Sequence, residues 1–268
     1  ATGGGSMVKA AYSSGKPALG VGPGNVQTIL DRDIDLEVEI PKVIAGRIFD
    51  NGIICSGEQS IIAPREQYDE IIDIFVKIGA FYVDNEEDLA KFREAIFPGG
   101  GPISRKIVGQ SVQTVAKLAG VAVPEGTKVI ILKADKHGKE EQLCREKMCP
   151  CMVALKYDTF EDAVQIAKDN LLFEGAGHTT SLHSNNMDHI RYAGEVLPIS
   201  RLIVNQPSST GAGGALNNGF SPTTTLGCGS WGGNSISENL NYTHLINISQ
   251  IGLPITKKAP TDEEIWAE

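Results

Sequence analysis

One cysteine in this sequence has a setting that could do chemistry. Cys55 ends a short apolar run in Phe49-Asp50-Asn51-Gly52-Ile53-Ile54-Cys55-Ser56-Gly57-Glu58-Gln59-Ser60. Turn-prone residues flank it, Asn51-Gly52 before and Ser56-Gly57 after. A thiol displayed in such a turn has backbone N–H groups beside it. A thiolate nucleophile and its oxyanion hole need those two things. A free cysteine more often serves as a small buried apolar residue, so the loop needs partners elsewhere before it reads as a catalytic centre.

Two polar residues offer themselves. His178 follows Gly175-Ala176-Gly177 and opens an apolar segment, so a glycine turn could present it at the mouth of a site. The alternative is a hydrogen-bonded structural histidine. Glu146 precedes a Pro-containing turn and could accept from a ribose hydroxyl pair, or could be an ordinary surface charge. Other motifs carry less. Gly20-x-Gly22-x-Gly24 lacks the third spacing of the dinucleotide fingerprint, and helical spacing follows it. Cys144, Cys149 and Cys151 are spaced C-x₄-C and C-x-C, with no histidine pair nearby. Structural zinc sites use C-x₂₋₄-C pairs, so these three read as reduced thiols and no metal is expected.

The elements that must position these groups follow from periodicity. The spacing predicts a helix over 7–13 behind Ser6 as N-cap, a short strand over 18–21, and helical structure from Val26 to Phe49 that Pro41 restarts or kinks. Further helices are expected over 65–78, 86–96, 111–119, 160–172 and 187–196, and strands over 60–63, 128–133, 152–157, 178–183 and 201–205. Alternating strands and helices argue for an α/β fold with a mostly parallel sheet flanked by helices. Residues 206–235 are rich in Gly, Ser, Thr and Asn, and a long irregular stretch of this kind, with Trp231 in it, is expected to be a placed functional loop. A last strand is expected over Leu245–Ile251, and a solvated tail from Lys257.

Bulk properties exclude several classes. The chain has 268 residues, 41% hydrophobic and 21% charged, with net charge −9 from 33 acidic and 24 basic residues. That balance argues against nucleic acid as main partner, because phosphate binding needs clustered Lys and Arg. No apolar stretch reaches the ~20 residues of a membrane span, and no signal-peptide pattern is present. Five cysteines, three of them clustered, suit reduced thiols in a cytoplasm. The opening Ala1-Thr2-Gly3-Gly4-Gly5-Ser6 enters structure at once, as expected of a piece whose first part is missing.

Taken together, these residues resemble the aldehyde dehydrogenase superfamily. The likeness is strongest to its CoA-acylating branch, in particular the aldehyde dehydrogenase half of bacterial bifunctional aldehyde–alcohol dehydrogenases; CoA-dependent succinate semialdehyde dehydrogenases are near relatives. It runs from residue 1 to about residue 250. It rests on Ala10-Ala-Tyr-Ser-Ser-Gly-Lys-Pro-Ala-Leu-Gly-Val-Gly-Pro-Gly-Asn25, on the loop 50–60, and on Leu226-Gly-Cys-Gly-Ser-Trp-Gly-Gly-Asn-Ser-Ile-Ser-Glu-Asn239. The resemblance implies that Cys55 is the nucleophile and that Glu146 holds the nicotinamide-side ribose. It implies that Thr2, Gly3 and Gly4 open a helix beneath the cofactor's nicotinamide and pyrophosphate, and that His178 is a histidine typical of the acylating branch. The cofactor implied is NAD, with NADP left open; coenzyme A is the co-substrate and the aldehyde is short-chain, acetaldehyde first. The implied organisation is the end of a Rossmann-like cofactor domain over 1–24, an aldehyde-dehydrogenase-like catalytic domain over 25–222, a return and oligomerisation segment over 223–252, and the tail 253–268. A homo-oligomer is expected through the C-terminal strand.

One departure from the wider superfamily carries a physical consequence. Hydrolytic members have a water-activating glutamate in Leu-Glu-Leu-Gly-Gly, whereas the matching segment here is Leu19-Gly20-Val21-Gly22. An acyl-enzyme without that base waits for a better nucleophile than water, and the thiol of CoA fits. Two other classes remain: a NAD-independent Cys55 acyltransferase or thioesterase, and a non-catalytic assembly piece.

Overall fold

The structure, a computed structural model, describes residues 1–254 and 258–267. Seven strands form one sheet in the order β3-β4-β5-β2-β1-β6-β7, and every pairing is parallel. In chain order these are β1 (Gln27–Leu30), β2 (Ser60–Pro64), β3 (Ala80–Val83), β4 (Val129–Lys133), β5 (Cys151–Tyr157), β6 (Gly177–His183) and β7 (Ile199–Val204). A parallel sheet needs helical crossovers and is covered on both faces. On one face, α2 (Leu36–Ile48) and α3 (Tyr68–Lys77) bury Ile40, Val43, Ile44, Ile71 and Phe75 against Leu30, Ile61 and Ile131. On the other, α4 (Glu86–Ile96), α5 (Val112–Ala119), α6 (Phe160–Phe173) and α7 (Met187–Val196) cover Ile29, Ile62, Ile130 and Val153. Ile29 and Leu30 thus point to opposite layers, as successive strand residues must.

Most helices start where their capping residues stand. Asp35, Asn85, Ser111, Thr159 and Asn186 each accept a first-turn N–H, and Thr159 with Asp162 completes a capping box. Gly120, at φ 70°, ends α5 in the left-handed region.

Several expectations are corrected. Val26–Phe49 is not one helical stretch: Gln27–Leu30 is the strand β1, and α2 follows it. All four residues of β1 are buried because the strand is central, so alternation is lost and Val26, Ile29 and Leu30 mimic helical spacing. Pro41 neither starts nor ends α2, which runs through it. The carbonyl deprived of its donor is that of Glu37, which is exposed and open to water. Strand β3 was not anticipated; it is four residues long and lies between two helices. The strand over 18–21 reduces to one bridge, Thr2 with Val21. The first helix, α1 (Gly5–Tyr12), is capped by Gly4, so Ser6 lies inside it. The strand over Leu245–Ile251 does not form: Leu245 ends a 3-10 turn (Tyr242–Leu245), the residues after it pair with nothing among the described residues, and Leu245, Ile246, Ile248 and Ile251 are exposed. Of the expected tail, Lys257 lies outside the described residues; Asp262–Ile265 forms an exposed helical turn, α9.

Candidate active site

Parallel register brings the candidate residues together at the N-terminal edge of the sheet. Val26 bridges Glu58, and the Gln59 N–H donates to the Val26 carbonyl at 2.8 Å. The chain entering β1 therefore runs beside the chain entering β2, and Gly24 lies beside Cys55. Gln27 pairs with Thr180; two residues back, that register sets His178 beside Asn25.

Gly24 is the hub. A Cβ on it would stand 3.0 Å from the Cys55 carbonyl carbon, closer still to its oxygen, and 3.1 Å from Cγ of His178. Its N–H donates to Oε1 of Glu146 at 3.2 Å. Cys55, His178 and Glu146, from three separate stretches of sequence, thus meet at one residue without a side chain. The neighbouring Asn25 fixes the segment, its Nδ2 donating to the carbonyls of Cys144 (2.7 Å) and Glu174 (3.0 Å).

The cysteine loop owes its shape to its own sequence. Asp50, Asn51 and Gly52 have φ of 47°, 51° and 70°, the left-handed region that Asn, Asp and Gly tolerate best. This run turns the chain out of α2 towards Cys55. Arg47 then locks the loop from below. It is fully buried and donates to the carbonyls of Gly52 (3.2 Å), Glu58 (3.0 Å) and Cys149 (2.9 Å from Nε). Glu58, also buried, accepts from the Ser208 N–H at 2.6 Å and so ties the loop to α8 (Ser208–Gly211).

Electrostatics in this chain hold the thiol neutral. Burial pushes Cys55 up to about 12, reinforced by Glu146 and Cys228; Arg201 pulls the other way. Burial, with Glu174, pushes Glu146 up to about 8. His178 is driven down to about 3 by burial and then by the Arg201 guanidinium, so it is a neutral imidazole. Its Nδ1 lies 3.0 Å from Oγ1 of Thr179, and its Nε2 is buried with no partner among the described residues.

Thr2, Gly3 and Gly4 lie at the start of α1, tied to the rest by the Gly3 N–H to Val21 carbonyl bond (3.2 Å) and by Thr2 Oγ1 to Thr225 Oγ1 (3.1 Å). Gly4 caps α1 with no side-chain hydrogen bond, which suits an anionic ligand at that terminus. A second anchor is Tyr12, whose hydroxyl accepts the N–H of Gly20 and of Ser235, both at 2.9 Å. This loop and its neighbours form a placed scaffold: Arg201 donates to the carbonyls of His178 (3.1 Å), Gly227 (2.6 Å) and Ser237 (3.2 Å). Cys228 is buried, while Trp231 is exposed on the rim of a cavity of about 240 Å³ that Gly22, Pro23, Gly175 and Cys228 also line. Cys144, Cys149 and Cys151 are buried.

No family model matches the chain. Individual relatives do. The succinate-semialdehyde dehydrogenase (acetylating) of Clostridium kluyveri is 62% identical over 267 residues, 99% of this chain and 58% of that protein. The chain is thus similar, along nearly its whole length, to an acetylating, or CoA-acylating, aldehyde dehydrogenase. The bifunctional aldehyde–alcohol dehydrogenase AdhE of Escherichia coli K12 is 40% identical over 251 residues, 92% of this chain and 28% of that protein. Among solved structures, an acetylating aldehyde dehydrogenase from Geobacillus thermoglucosidasius superposes with a TM-score of 0.91 at 33% identity, over 97% of this chain and 57% of that one. The chain therefore spans little more than half the length of the first of these relatives.

Arg47, Glu58, Thr179, Arg201 and Gly24 were not read as site residues from sequence. Arg47 and Arg201 look like surface cations, and nothing local marks them as buried carbonyl binders. Gly24 carried a signal, the Gly-Pro-Gly-Asn turn, but its use as a packing hub depends on strand register.

Proposed function

We propose that the chain is the catalytic portion of a CoA-acylating aldehyde dehydrogenase that interconverts an aldehyde plus CoA with the acyl-CoA through a thioester on Cys55. The observation that carries this reading is the meeting of Cys55, His178 and Glu146 at Gly24, at a site without the water-activating glutamate. A side chain at Gly20, where that base would be borne, would meet Val8 Cγ1 at 2.8 Å and the Tyr12 ring at 3.0 Å. Position 20 is packed for glycine.

Cys55 attacks the aldehyde carbonyl as thiolate to give a thiohemiacetal, whose oxyanion its own backbone N–H helps to hold. Two neighbours reinforce burial in opposing ionisation of the thiol, and one of them, Glu146, is itself pushed up to about 8. At neutral pH that carboxyl is mostly protonated, which relieves its opposition. NAD, when bound, would supply the hydride acceptor that the oxidation of a thiohemiacetal to a thioester requires. Thr2, Gly3, Gly4 and Glu146 are the residues that would hold it: an uncapped helix start and a carboxyl at the reacting centre. CoA thiol then attacks the Cys55 thioester, and the acyl group leaves as acyl-CoA; the reverse sequence gives aldehyde.

The aldehyde has two readings. Acetaldehyde is the reading taken from the sequence motifs; the 62% identical relative, named for succinate semialdehyde, favours that four-carbon carboxylate. Comparing kcat/KM for the two in the complete enzyme separates them. The division into 1–24, 25–222, 223–252 and 253–268 is the one this reading uses. Among the described residues no helix is long and apolar enough to cross a membrane; a cytoplasmic place fits the reduced cysteines. The exposed apolar run Leu245–Ile251 is the surface a second copy would cover by adding it to a sheet.

The test is Cys55→Ala in the complete enzyme. Incubation with acyl-CoA should leave an acyl mass increment on the wild type and none on the variant, and turnover with aldehyde plus CoA should raise reduced-nicotinamide absorbance only in the wild type. An increment that survives Cys55→Ala removes Cys55 from the role. Acyl transfer without any absorbance change favours the NAD-independent thiol enzyme.

A further inference from the structure

His178 is neutral and buried, so which ring nitrogen carries its proton decides what it can do. The hydrogen bonds around Thr179 answer this. Thr179 is fully buried and its Oγ1 has two neighbours, Nδ1 of His178 at 3.0 Å and Nε of Arg201 at 3.2 Å. A guanidinium can only donate, so Arg201 uses one lone pair of that oxygen. The threonine O–H must then find an acceptor. Among the described residues the lone pair on His178 Nδ1 is the one within reach. If Nδ1 carried the proton instead, both nitrogens would donate to the hydroxyl and its own O–H would be buried and unpaired, a costly state. The relay therefore runs from Arg201 to Thr179 to His178, and polarisation by the cation strengthens the hydroxyl as a donor. That leaves the proton on Nε2, the buried atom with no partner.

We propose that Thr179, held by Arg201, fixes His178 as the tautomer protonated on Nε2, so that His178 serves the Cys55 centre as a hydrogen-bond donor and not as a base. The ring, through Cγ, and the Cys55 carbonyl both meet Gly24, which sets the imidazole beside the backbone of the reacting residue. Its natural acceptor is the oxygen of the Cys55-bound thiohemiacetal or thioester, a charge-developing atom of the kind that preorganised donors stabilise. A histidine in this state has its only lone pair tied up by Thr179, so it cannot take the proton of either Cys55 or CoA. The role rests on the acyl-transfer reading above; Thr179 is a positioning residue within it.

The test reads the ring directly. Imidazole nitrogens bearing a proton, bearing a bare lone pair or bearing a hydrogen-bonded lone pair give separate nitrogen-15 resonances. The chain has five histidines, and loss of one set of signals in His178→Gln assigns the ring. The expected result is a neutral His178 with Nε2 protonated across the range in which free histidine titrates. Thr179→Val should move the Nδ1 resonance towards that of an unbonded lone pair, and Thr179→Ser should leave it in place. In the complete enzyme Thr179→Val should lower kcat for acyl transfer about tenfold, short of the 10²–10³-fold for deleting a donor outright, with Thr179→Ser restoring it. A wild-type ring protonated on Nδ1 or titrating as an imidazolium would overturn the proposal, as would a valine variant with Nδ1 unmoved. Should Thr179→Val fail to fold, the wild-type and serine spectra still decide the tautomer. Loss of acyl-transfer chemistry would not alter these spectra, so the two readings fail separately.

Discussion

Gly24→Ala tests the geometry of the site with a single methyl group. Gly24 does not have a positive φ, so alanine meets no backbone penalty and only space is at issue. The added carbon would lie 3.0 Å from the Cys55 carbonyl carbon and 3.1 Å from Cγ of His178. Carbon pairs prefer about 3.5–4.0 Å, and the Cys55 carbonyl oxygen lies closer to the added carbon than either, so the cysteine loop must retreat by about 1 Å or more. Retreat is resisted, because Arg47 holds the carbonyls of Gly52 and Glu58 on either side. Overpacking of this kind costs about 1–3 kcal/mol of stability. A displacement near 1 Å at a reacting group costs about 10²-fold in rate. Urea denaturation reads the first and the rate of acyl-adduct formation on Cys55 in the complete enzyme reads the second. Gly22→Ala is the control: nothing lies within 4 Å of its Cβ direction, and it should change stability by less than about 0.5 kcal/mol. If Gly24→Ala acylates at the wild-type rate with wild-type stability, Cys55 and His178 do not meet at Gly24 as described.

Three further outcomes are expected. Cys55 is half-buried whereas Cys144, Cys149, Cys151 and Cys228 are buried, so an alkylating reagent should modify one thiol in the native chain. With that thiol pushed up to about 12, the rate should climb about tenfold per pH unit through pH 9, and a plateau below pH 8 would contradict the burial argument. Burial pushes the Glu58 carboxyl up to about 8, from about 4.3 when unfolded. Its folded state therefore binds the proton more tightly; the resulting stability is full below about pH 4.3 and is lost as pH rises through 8. Glu58→Gln should accordingly be the more stable protein at pH 9, by on the order of a few kcal/mol, with the gap closing towards pH 4; equal pH profiles in calorimetry would show that Glu58 titrates normally. Tyr12→Phe removes the acceptor of the Gly20 and Ser235 N–H groups. It should cost about 1–3 kcal/mol and speed amide exchange at those two positions; unchanged protection would mean that α1 is anchored elsewhere.

The sequence by itself determined a good deal of this protein. The amphipathic helices and their caps, the apolar strands β2, β4, β5 and β6, and the α/β class could be read because each depends on local chemistry: side-chain period, capping oxygens and Gly or Pro breaks. Cys55, Glu146 and His178 could be singled out as candidates from their local motifs. Strand β1 was misread because a central strand is buried on both sides and loses the alternation that marks a strand. What only the tertiary structure decided is how the three candidates meet. Parallel register sets Gly24 against Cys55 and His178, through the pairing of Val26 with Glu58 on one side and of Gln27 with the far more distant Thr180 on the other. Burial, too, belongs to the folded chain. The same cysteine, carboxyl and imidazole that look ordinary in a list are moved to about 12, 8 and 3 once water is excluded from them. Arg47, Thr179 and Arg201 were invisible for the same reason: their partners are backbone carbonyls and hydroxyls, which carry no signature in sequence and acquire direction only when the strands are laid side by side.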